Sequence, residues 1–439
     1  MSRFFHISTM GCQMNEYDSD YLGQVLVSSN YLPTDNPKQA DVILINTCTV
    51  RAKAAQKAFS LLGRMVPLKK RNPEIILGIT GCLAQQEGSS LMQRFPDLDL
   101  VLGTRKKDRF ESFLNRILTS REKIVAVDMD SPLVSPLQNN GYFRGRIKSF
   151  ISVMEGCNNF CSYCIVPYVR GREVSRPPEE ILYEARHLVS QGILEITLLG
   201  QNVNSYKWDK AYRFSSLLRE MNEIKGLTRI RFTTSHPKDL SDDLINLFAE
   251  LENLCPHIHL PFQAGSNKVL KLMNRRYVRE RYIELIGKLR QVRPEIAITS
   301  DVMVGFPQES DEDFQMTLDL IEKIEFDNLY SFKYSDRKGT LAERMEGKVG
   351  DPEKSFRLKT LQRLQNRISL SKNQMLKGAQ LEVLVEGYSK RSGQLTGRTP
   401  SNKVVNFTNN NNLIGRLVNV EIQHASANSL KGKVTNTND

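Results

Sequence analysis

Three cysteines fall within one octapeptide, Cys157-Asn-Asn-Phe-Cys161-Ser-Tyr-Cys164. Thiolates spaced C-x3-C-x2-C on one short loop can hold three corners of a 4Fe–4S cube. The cube has a fourth iron, and an iron without a cysteine can bind a small molecule, as the open position of a catalytic metal site does. The spacing therefore points to chemistry at a cluster rather than to electron storage. Two plainer readings of the same loop stand beside it: a zinc ion, or disulfides. Seven cysteines in 439 residues is not the density of a disulfide scaffold. The start, Met1-Ser-Arg-Phe-Phe-His-Ile-Ser8, lacks the apolar core and cleavage site of a secretory signal. A reducing, cytoplasmic setting is expected. No stretch of eighteen apolar residues occurs, so no membrane-spanning helix and no membrane partner are expected.

A second set of cysteines is spread over the first 110 residues, where strand-like and helix-like patterns alternate. Phe4–Thr9, Asp41–Asn46, Ile75–Thr80 and Leu98–Leu102 read as strands. Glu16–Ser29, Ala52–Arg64 and Gln85–Arg94 read as helices between them. That alternation predicts a doubly wound parallel sheet. Cys12, Cys48 and Cys82 each follow one of the first three strands, at the carboxyl edge where open parallel sheets form ligand sites. Neighbouring strands lie roughly 5 Å apart, so the three thiols could converge on a second cluster, again with one iron left over. Cysteines serving only as core packing would be expected inside the strands. Cys255 belongs to neither set and reads as a structural thiol.

Further β–α units follow. Phe150–Met154 delivers the Cys157 loop, and Glu195–Leu199, Thr228–Thr233, His257–Leu260, Ala297–Val304 and Asn328–Phe332 read as strands. Repeats of this kind predict a full or partial (β/α) barrel with its chemistry at the carboxyl ends of the strands. Polar loops stand there: Gly200–Ser205, Thr234–Pro237, His259–Ser266 and Gly305–Glu309. Together they predict a pocket. His257 and His259 alternate on one strand and share a face. Either metal binding or separate hydrogen-bonded roles would suit them, the latter being commoner.

The formal net charge of +12 favours a polyanionic partner, most simply nucleic acid. Basic clusters recur at Lys69–Arg71, Arg105–Lys107, Arg144–Lys148 and Lys390-Arg391. A basic amphipathic helix is predicted from Lys354 to about Lys377, with Leu358, Leu361, Leu364 and Ile368 on one side. Beyond it, short strands at Gln380–Val385, Gln394–Gly397, Lys403–Phe407, Leu417–Ile422 and Gly432–Val434 predict a small all-β barrel. The stretch from Lys372 carries nine basic and four acidic residues. Gly387–Arg391 and Thr396–Thr399 mix aromatic and basic side chains as RNA contacts do, and Asn409–Asn412 reads as a polar loop.

These motifs carry a resemblance. The Cys157 loop, with Tyr163 before its last cysteine, is similar to the loop of the radical S-adenosylmethionine superfamily. Thr9–Ser19, Ile45–Arg51 and Gly81–Gln85 resemble the N-terminal domain of the methylthiotransferases, and the C-terminal module resembles the TRAM domain. Gly11-Cys-Gln-Met-Asn15 is similar to the branch acting on isopentenylated adenosine in transfer RNA. Branches acting on threonylcarbamoyladenosine or on a ribosomal protein usually show other residues at Gln13 and Met14. The resemblance implies three domains, 1–120, 143–373 and 374–439, and two 4Fe–4S clusters, held by Cys12, Cys48 and Cys82 and by Cys157, Cys161 and Cys164. It implies that Gly200 and Gln201 contact the methionine part of S-adenosylmethionine, and that Ser235, Ser300 and Asp301 face this cofactor. The implied partners are a tRNA anticodon loop and a flavodoxin- or ferredoxin-like electron donor, and the implied state is a monomer. It also implies two molecules of S-adenosylmethionine per turnover: one methylates a sulfur at the Cys12 site, and one is cleaved at the Cys157 site to the radical that takes hydrogen from C2 of adenine, a C–H bond that acid–base groups cannot activate. A non-catalytic RNA-binding protein with structural metals is the remaining alternative. The chain departs from the family pattern at Gln308, where glycine is usual, at Ser310, where threonine is usual, and at Ala264, where serine is common. These changes bear on loop geometry.

Overall fold

The computed structural model describes residues 2–49, 52–130, 133, 141–389, 394–408 and 412–437. Val50-Arg51 of the second cysteine motif, the Lys390-Arg391 pair and Asn409–Asn411 lie outside the described residues.

The N-terminal unit is a six-stranded sheet with all its pairs parallel, made of β1 (Arg3–Met10), β2 (Tyr31–Pro33), β3 (Val42–Thr47), β4 (Ile76–Thr80), β5 (Leu100–Leu102) and β6 (Ile124–Ala126). Their order is β2-β1-β3-β4-β5-β6. The direction of winding therefore reverses between β1 and β3, and the crevice of such a sheet opens there. Apolar side chains alternate to the two faces: Phe5, Val42, Leu44 and Ile76 pack with Leu22 and Phe110 on one side, and Ile43, Ile45, Leu77 and Ile79 with Ala58 and Leu62 on the other. The register sets Met10 beside Thr47 and Asn46 beside Thr80, so the three strands end level. The four strands read from sequence are present. The two that were not, β2 and β6, have three residues each, too few to show a period. The helix expected over Gln85–Arg94 is two short helices, Cys82–Glu87 and Ser90–Arg94, parted by Gly88 at φ +54°.

The central unit has β7 (Lys148–Ser152), β8 (Met154–Glu155), β9 (Val174–Ser175), β10 (Glu195–Leu199), β11 (Arg229–Phe232), β12 (His257–His259), β13 (Ala297–Val304) and β14 (Asn328–Lys333). Two parallel sheets, β11-β10-β7 and β12-β13-β14, are joined where Ile230 pairs with Leu254 just ahead of β12. Among the described residues β7 does not pair with β14, so the barrel is partial and open on one side. Outward-facing Ile196, Leu198, Ile230, Ile258, Ile298, Val302 and Leu329 form one core with Ile181, Leu217, Leu285 and Ile321 of the covering helices. By the same alternation, Thr197, Arg231, His257, His259, Thr299, Asp301, Tyr330 and Phe332 face the lumen.

Helix Asp351–Gln374 buries Leu361 and Ile368 against that core, with Leu358 and Leu364 partly covered, and leads to the last unit. There β15 (Gln380–Tyr388), β16 (Leu395–Arg398), β17 (Val404–Phe407), β18 (Leu417–Ala425) and β19 (Leu430–Thr437) close a barrel in the order β15-β16-β17-β19-β18. It docks beneath the central strands, at their amino ends. Arg229 donates to the Arg398 carbonyl at 2.7 Å, Arg231 donates to the carbonyls of Thr399 and Pro400 at 2.9 and 2.8 Å, and Lys372 and Lys403 pair with Asp327 at 2.8 and 3.0 Å. The Thr396–Thr399 stretch therefore belongs to this joint, while Tyr388 stays exposed for other contacts. The contacts of this last unit lie away from the carboxyl mouth of the large barrel.

Candidate metal centres and cofactor pocket

The Cys157 loop leaves the short β8 strand through Gly156 at φ +84°, where a Cβ would run into the Arg172 carbonyl, so only glycine serves. Contacts from distant loops then fix its shape. The Gly156 N–H donates to Gln201 Oε1 at 2.5 Å, the Cys157 N–H to the Gly171 carbonyl at 3.1 Å, and the Ser162 hydroxyl to the Leu272 carbonyl at 2.8 Å. Asn274 Nδ2 donates to the carbonyls of Asn159 and Phe160 at 3.3 and 3.0 Å. Cys157, Cys161 and Cys164 are all partly exposed at the barrel mouth, and Arg275 Nη1 lies 3.6 Å from Cys161 Sγ. Burial pushes the Cys157 thiol up to about 11 and the Cys164 thiol up to about 12, so metal binding by these two thiols releases their protons.

The second set is assembled by the sheet. Cys12 caps the helix Gln13–Ser28, Cys48 follows β3 with its N–H on the Met10 carbonyl at 2.9 Å, and Cys82 opens the helix Cys82–Glu87. Cys12 and Cys48 thus flank the crevice where the winding reverses. A hydrogen bond from Cys48 brings the Cys12 thiol down to about 6 against the pull of burial, with Arg170 and the backbone N–H groups of Asn15 and Met14 helping. Burial raises Cys82, and Arg170, hydrogen-bonded to it, opposes the rise. The strand ends are tied by two buried asparagines: Asn15 Nδ2 donates to Asn46 Oδ1 at 2.9 Å, and Asn46 Nδ2 donates to the Asn15 carbonyl at 2.8 Å and to Ser19 Oγ at 2.9 Å. Gly81, at φ +89°, lies against Asn46 with no room for a Cβ. Sequence reading passed over both asparagines, although both stand in the cysteine motifs.

The two sets adjoin. Ile165, next in the chain to Cys164, packs with Val169 on Cys82. Arg170, on the same segment, donates to Asp18 at 2.6 Å, and Lys107 links Asp18 to Glu155, at 2.9 Å from the latter. These ions are nearly fully buried, and together they hold the N-terminal sheet over the barrel mouth. Among the described residues no three Cys, His, Asp or Glu side chains close on a point as the ligands of one ion would. A cube asks for a wider spread, because each thiolate binds a different iron.

The Ser235 hydroxyl, His236 Nε2 and Asn202 Oδ1 are buried at the carboxyl ends of β10 and β11 without a hydrogen-bond partner, the state expected of groups that serve a bound molecule. Burial, with Arg275 nearby, drives His236 down to about 2, so its ring is neutral. Gly200 touches Met154, leaving no space for a side chain, and Gln201 reaches the cysteine loop. Ser300 and Asp301 part company, since successive side chains of a strand point to opposite faces. Asp301 faces the lumen, with one carboxylate oxygen 3.5 Å from His259 Nε2. Ser300 is turned the other way, fully buried, its hydroxyl donating to the Leu260 carbonyl at 2.7 Å and accepting the Phe262 N–H at 2.9 Å. It shapes the loop after β12 and does not face the lumen. The two histidines share Thr299, at 3.0 Å from His257 and 3.1 Å from His259. Cys255 is buried, and burial raises its thiol to about 11. Gln308 holds φ +65°, which explains the usual glycine there, and Ser310 caps the helix Asp311–Ile324 just as threonine would.

Three family models match in chain order: the uncharacterized protein family UPF0004 over residues 4–103, the radical SAM superfamily over 151–321 and the TRAM domain over 374–435. Among solved structures, the radical S-adenosylmethionine methyltransferase TsrM of Kitasatospora setae, with tryptophan substrate and a cofactor analogue bound, is similar with a TM-score of 0.55 at 16% identity, over 75% of this chain and 73% of that one. That likeness concerns the fold. The three family models, with the fold they match, define a radical S-adenosylmethionine enzyme. The tRNA-2-methylthio-N(6)-dimethylallyladenosine synthase of Syntrophus aciditrophicus is 50% identical, with 98% of this chain and 94% of that protein covered, and its counterpart in Desulfosudis oleivorans is 48% identical with 98% and 96% covered. The chain belongs to the tRNA-2-methylthio-N(6)-dimethylallyladenosine synthase family.

Proposed function

We propose that this chain adds a methylthio group to C2 of N6-isopentenyladenosine at position 37 of transfer RNA, beside the anticodon, with Cys157, Cys161 and Cys164 holding one 4Fe–4S cluster and Cys12, Cys48 and Cys82 the other. The observation that supports the reading is the packing of Ile165, next to Cys164, on Cys82, which sets the end of one cysteine loop against a cysteine of the other set. When bound, the first cluster supplies the electron that cleaves S-adenosylmethionine, and the second holds the sulfur to be transferred. The protein's own part is positioning. Gln201 anchors the cysteine loop, the unpartnered Ser235, His236 and Asn202 atoms await the polar groups of the cofactor, and the neutral His236 ring adds no competing charge. The Arg170–Asp18–Lys107–Glu155 network keeps the sheet clamped on the barrel, so the two centres stay at a fixed distance. The TRAM barrel and the net charge of +12 supply the attraction for RNA. A flavodoxin- or ferredoxin-like electron donor, a monomeric state and a cytoplasmic location complete the proposal. No helix among the described residues is long and apolar enough to cross a membrane.

Expression in a strain lacking the modification, followed by mass spectrometry of its nucleosides, tests the reading. Appearance of the 2-methylthio-isopentenyl nucleoside supports it. Its absence, with a methylthiolated threonylcarbamoyladenosine or ribosomal protein in its place, moves the enzyme to another branch of the family.

A further inference from the structure

The lumen face of β14 turns two aromatic rings to solvent. Tyr330 is 49% and Phe332 40% exposed, whereas Leu329 on the opposite face is buried in the core. Rings placed there for folding alone would be turned to the helix side. In the parallel register Tyr330 lies beside Asp301 and Phe332 beside Met303. The Tyr330 ring meets His259 edge-on, centroids 5.8 Å apart, and His259 is held by Thr299 at 3.1 Å. A row of polar groups thus borders an aromatic step. β14 is the last strand of an open barrel, so the step can be reached from the side.

Its carboxyl end is flanked by both cysteine sets. Tyr334, the residue after β14, packs on Phe306 with centroids 5.2 Å apart, and Phe306 packs on Tyr163 of the Cys157 loop at 6.4 Å. Arg337, three residues further on, lies near enough to Cys48 for their charges to interact. The exposed rings therefore stand on the strand whose end adjoins both sulfur sites. A base unstacked from a single-stranded loop has a π-face and needs a surface of this kind.

We propose that Tyr330 and Phe332 form the platform that receives the splayed-out adenine of the RNA substrate, with the prenyl chain on N6 lying against Phe332 and Met303 and the polar edge of the base toward His259 and Asp301. The proposal rests on the methylthiolation reading above and names the substrate subsite of that reaction.

The test uses the full-length, cluster-loaded protein and two anticodon stem-loop RNAs, one carrying N6-isopentenyladenosine and one plain adenosine at the same position. Fluorescence anisotropy gives the Kd, and turnover gives KM and kcat. Tyr330→Ala and Phe332→Ala each raise Kd and KM for the prenylated RNA roughly tenfold, the scale of one lost base stack. Phe332→Ala also erases most of the preference for the prenylated RNA, and Tyr330→Phe behaves as wild type. Iron content and RNA-independent cleavage of S-adenosylmethionine stay unchanged in all three, which excludes misfolding. Alanine variants that keep wild-type Kd and preference overturn the platform, whatever the turnover. A wild-type protein that binds the prenylated stem-loop but never methylthiolates it overturns the functional reading, while the anisotropy comparison still decides the platform.

Discussion

The two cysteine sets reach similar ends by opposite routes. Cys157, Cys161 and Cys164 share one octapeptide, and the rest of the barrel needs only to shape that loop, through Gln201, Leu272 and Asn274. Cys12, Cys48 and Cys82 come from three separate strand ends, brought together by sheet register and the Asn15–Asn46 tie. A set made by local spacing survives disturbance elsewhere. A set made by register depends on every contact that keeps the strands level. Their electrostatics differ in the same sense. The loop leaves Cys157 and Cys164 protonated, while the crevice, with Cys48, two backbone N–H groups and Arg170 around Cys12, already favours a thiolate.

The largest effect expected comes from Cys161→Ala: no 5′-deoxyadenosine from S-adenosylmethionine, and about half the iron, with the other cluster still visible by Mössbauer spectroscopy. Loss of both clusters would mean that the two sites form as one unit, and the comparison would break. Cys48→Ala, its mirror image, keeps cofactor cleavage and loses methylthiolated product. Full product from this variant would remove Cys48 from the second site.

Asn46→Ala sharpens the contrast. It strips the bonds donated to the Asn15 carbonyl and Ser19 Oγ and leaves a buried Asn15 amide unpaired, at a cost of about 2 kcal/mol in the metal-free protein. Denaturant unfolding measures the loss, and iron analysis should show the deficit confined to the Cys12 site. A substitution at Asn274, which only buttresses the Cys157 loop, should spare that site.

The smallest effect lies in the joint with the TRAM barrel. Burial alone would raise Asp327, but Lys372 and Lys403 hold it below its ordinary value of 3.8. A carboxylate depressed on folding adds stability above its unfolded value and loses it as pH falls through the folded one. Asp327→Asn should therefore cost on the order of 1 kcal/mol near neutral pH, and the gap from wild type should close below about pH 4. Thermal unfolding across that range reads it. A gap independent of pH would show that the joint rests on packing instead of charge.

The amino-acid sequence by itself determined the local chemistry: the C-x3-C-x2-C loop, the cysteine after each of three strands, the β–α alternation and the closing set of short strands. These follow from spacing and period, which neighbouring residues carry between them. Only the tertiary structure decided that the barrel stays open, that Ser300 turns from the lumen while Asp301 enters it, and that the TRAM barrel sits under the strands. The same holds for Arg170, Asp18, Lys107 and Glu155, which lock one domain onto the next. Those four come from segments far apart in the chain, and no periodic pattern records a partner so distant. Their pairing is dictated by how two finished surfaces exclude water from buried charge, and that exists only once both domains have folded.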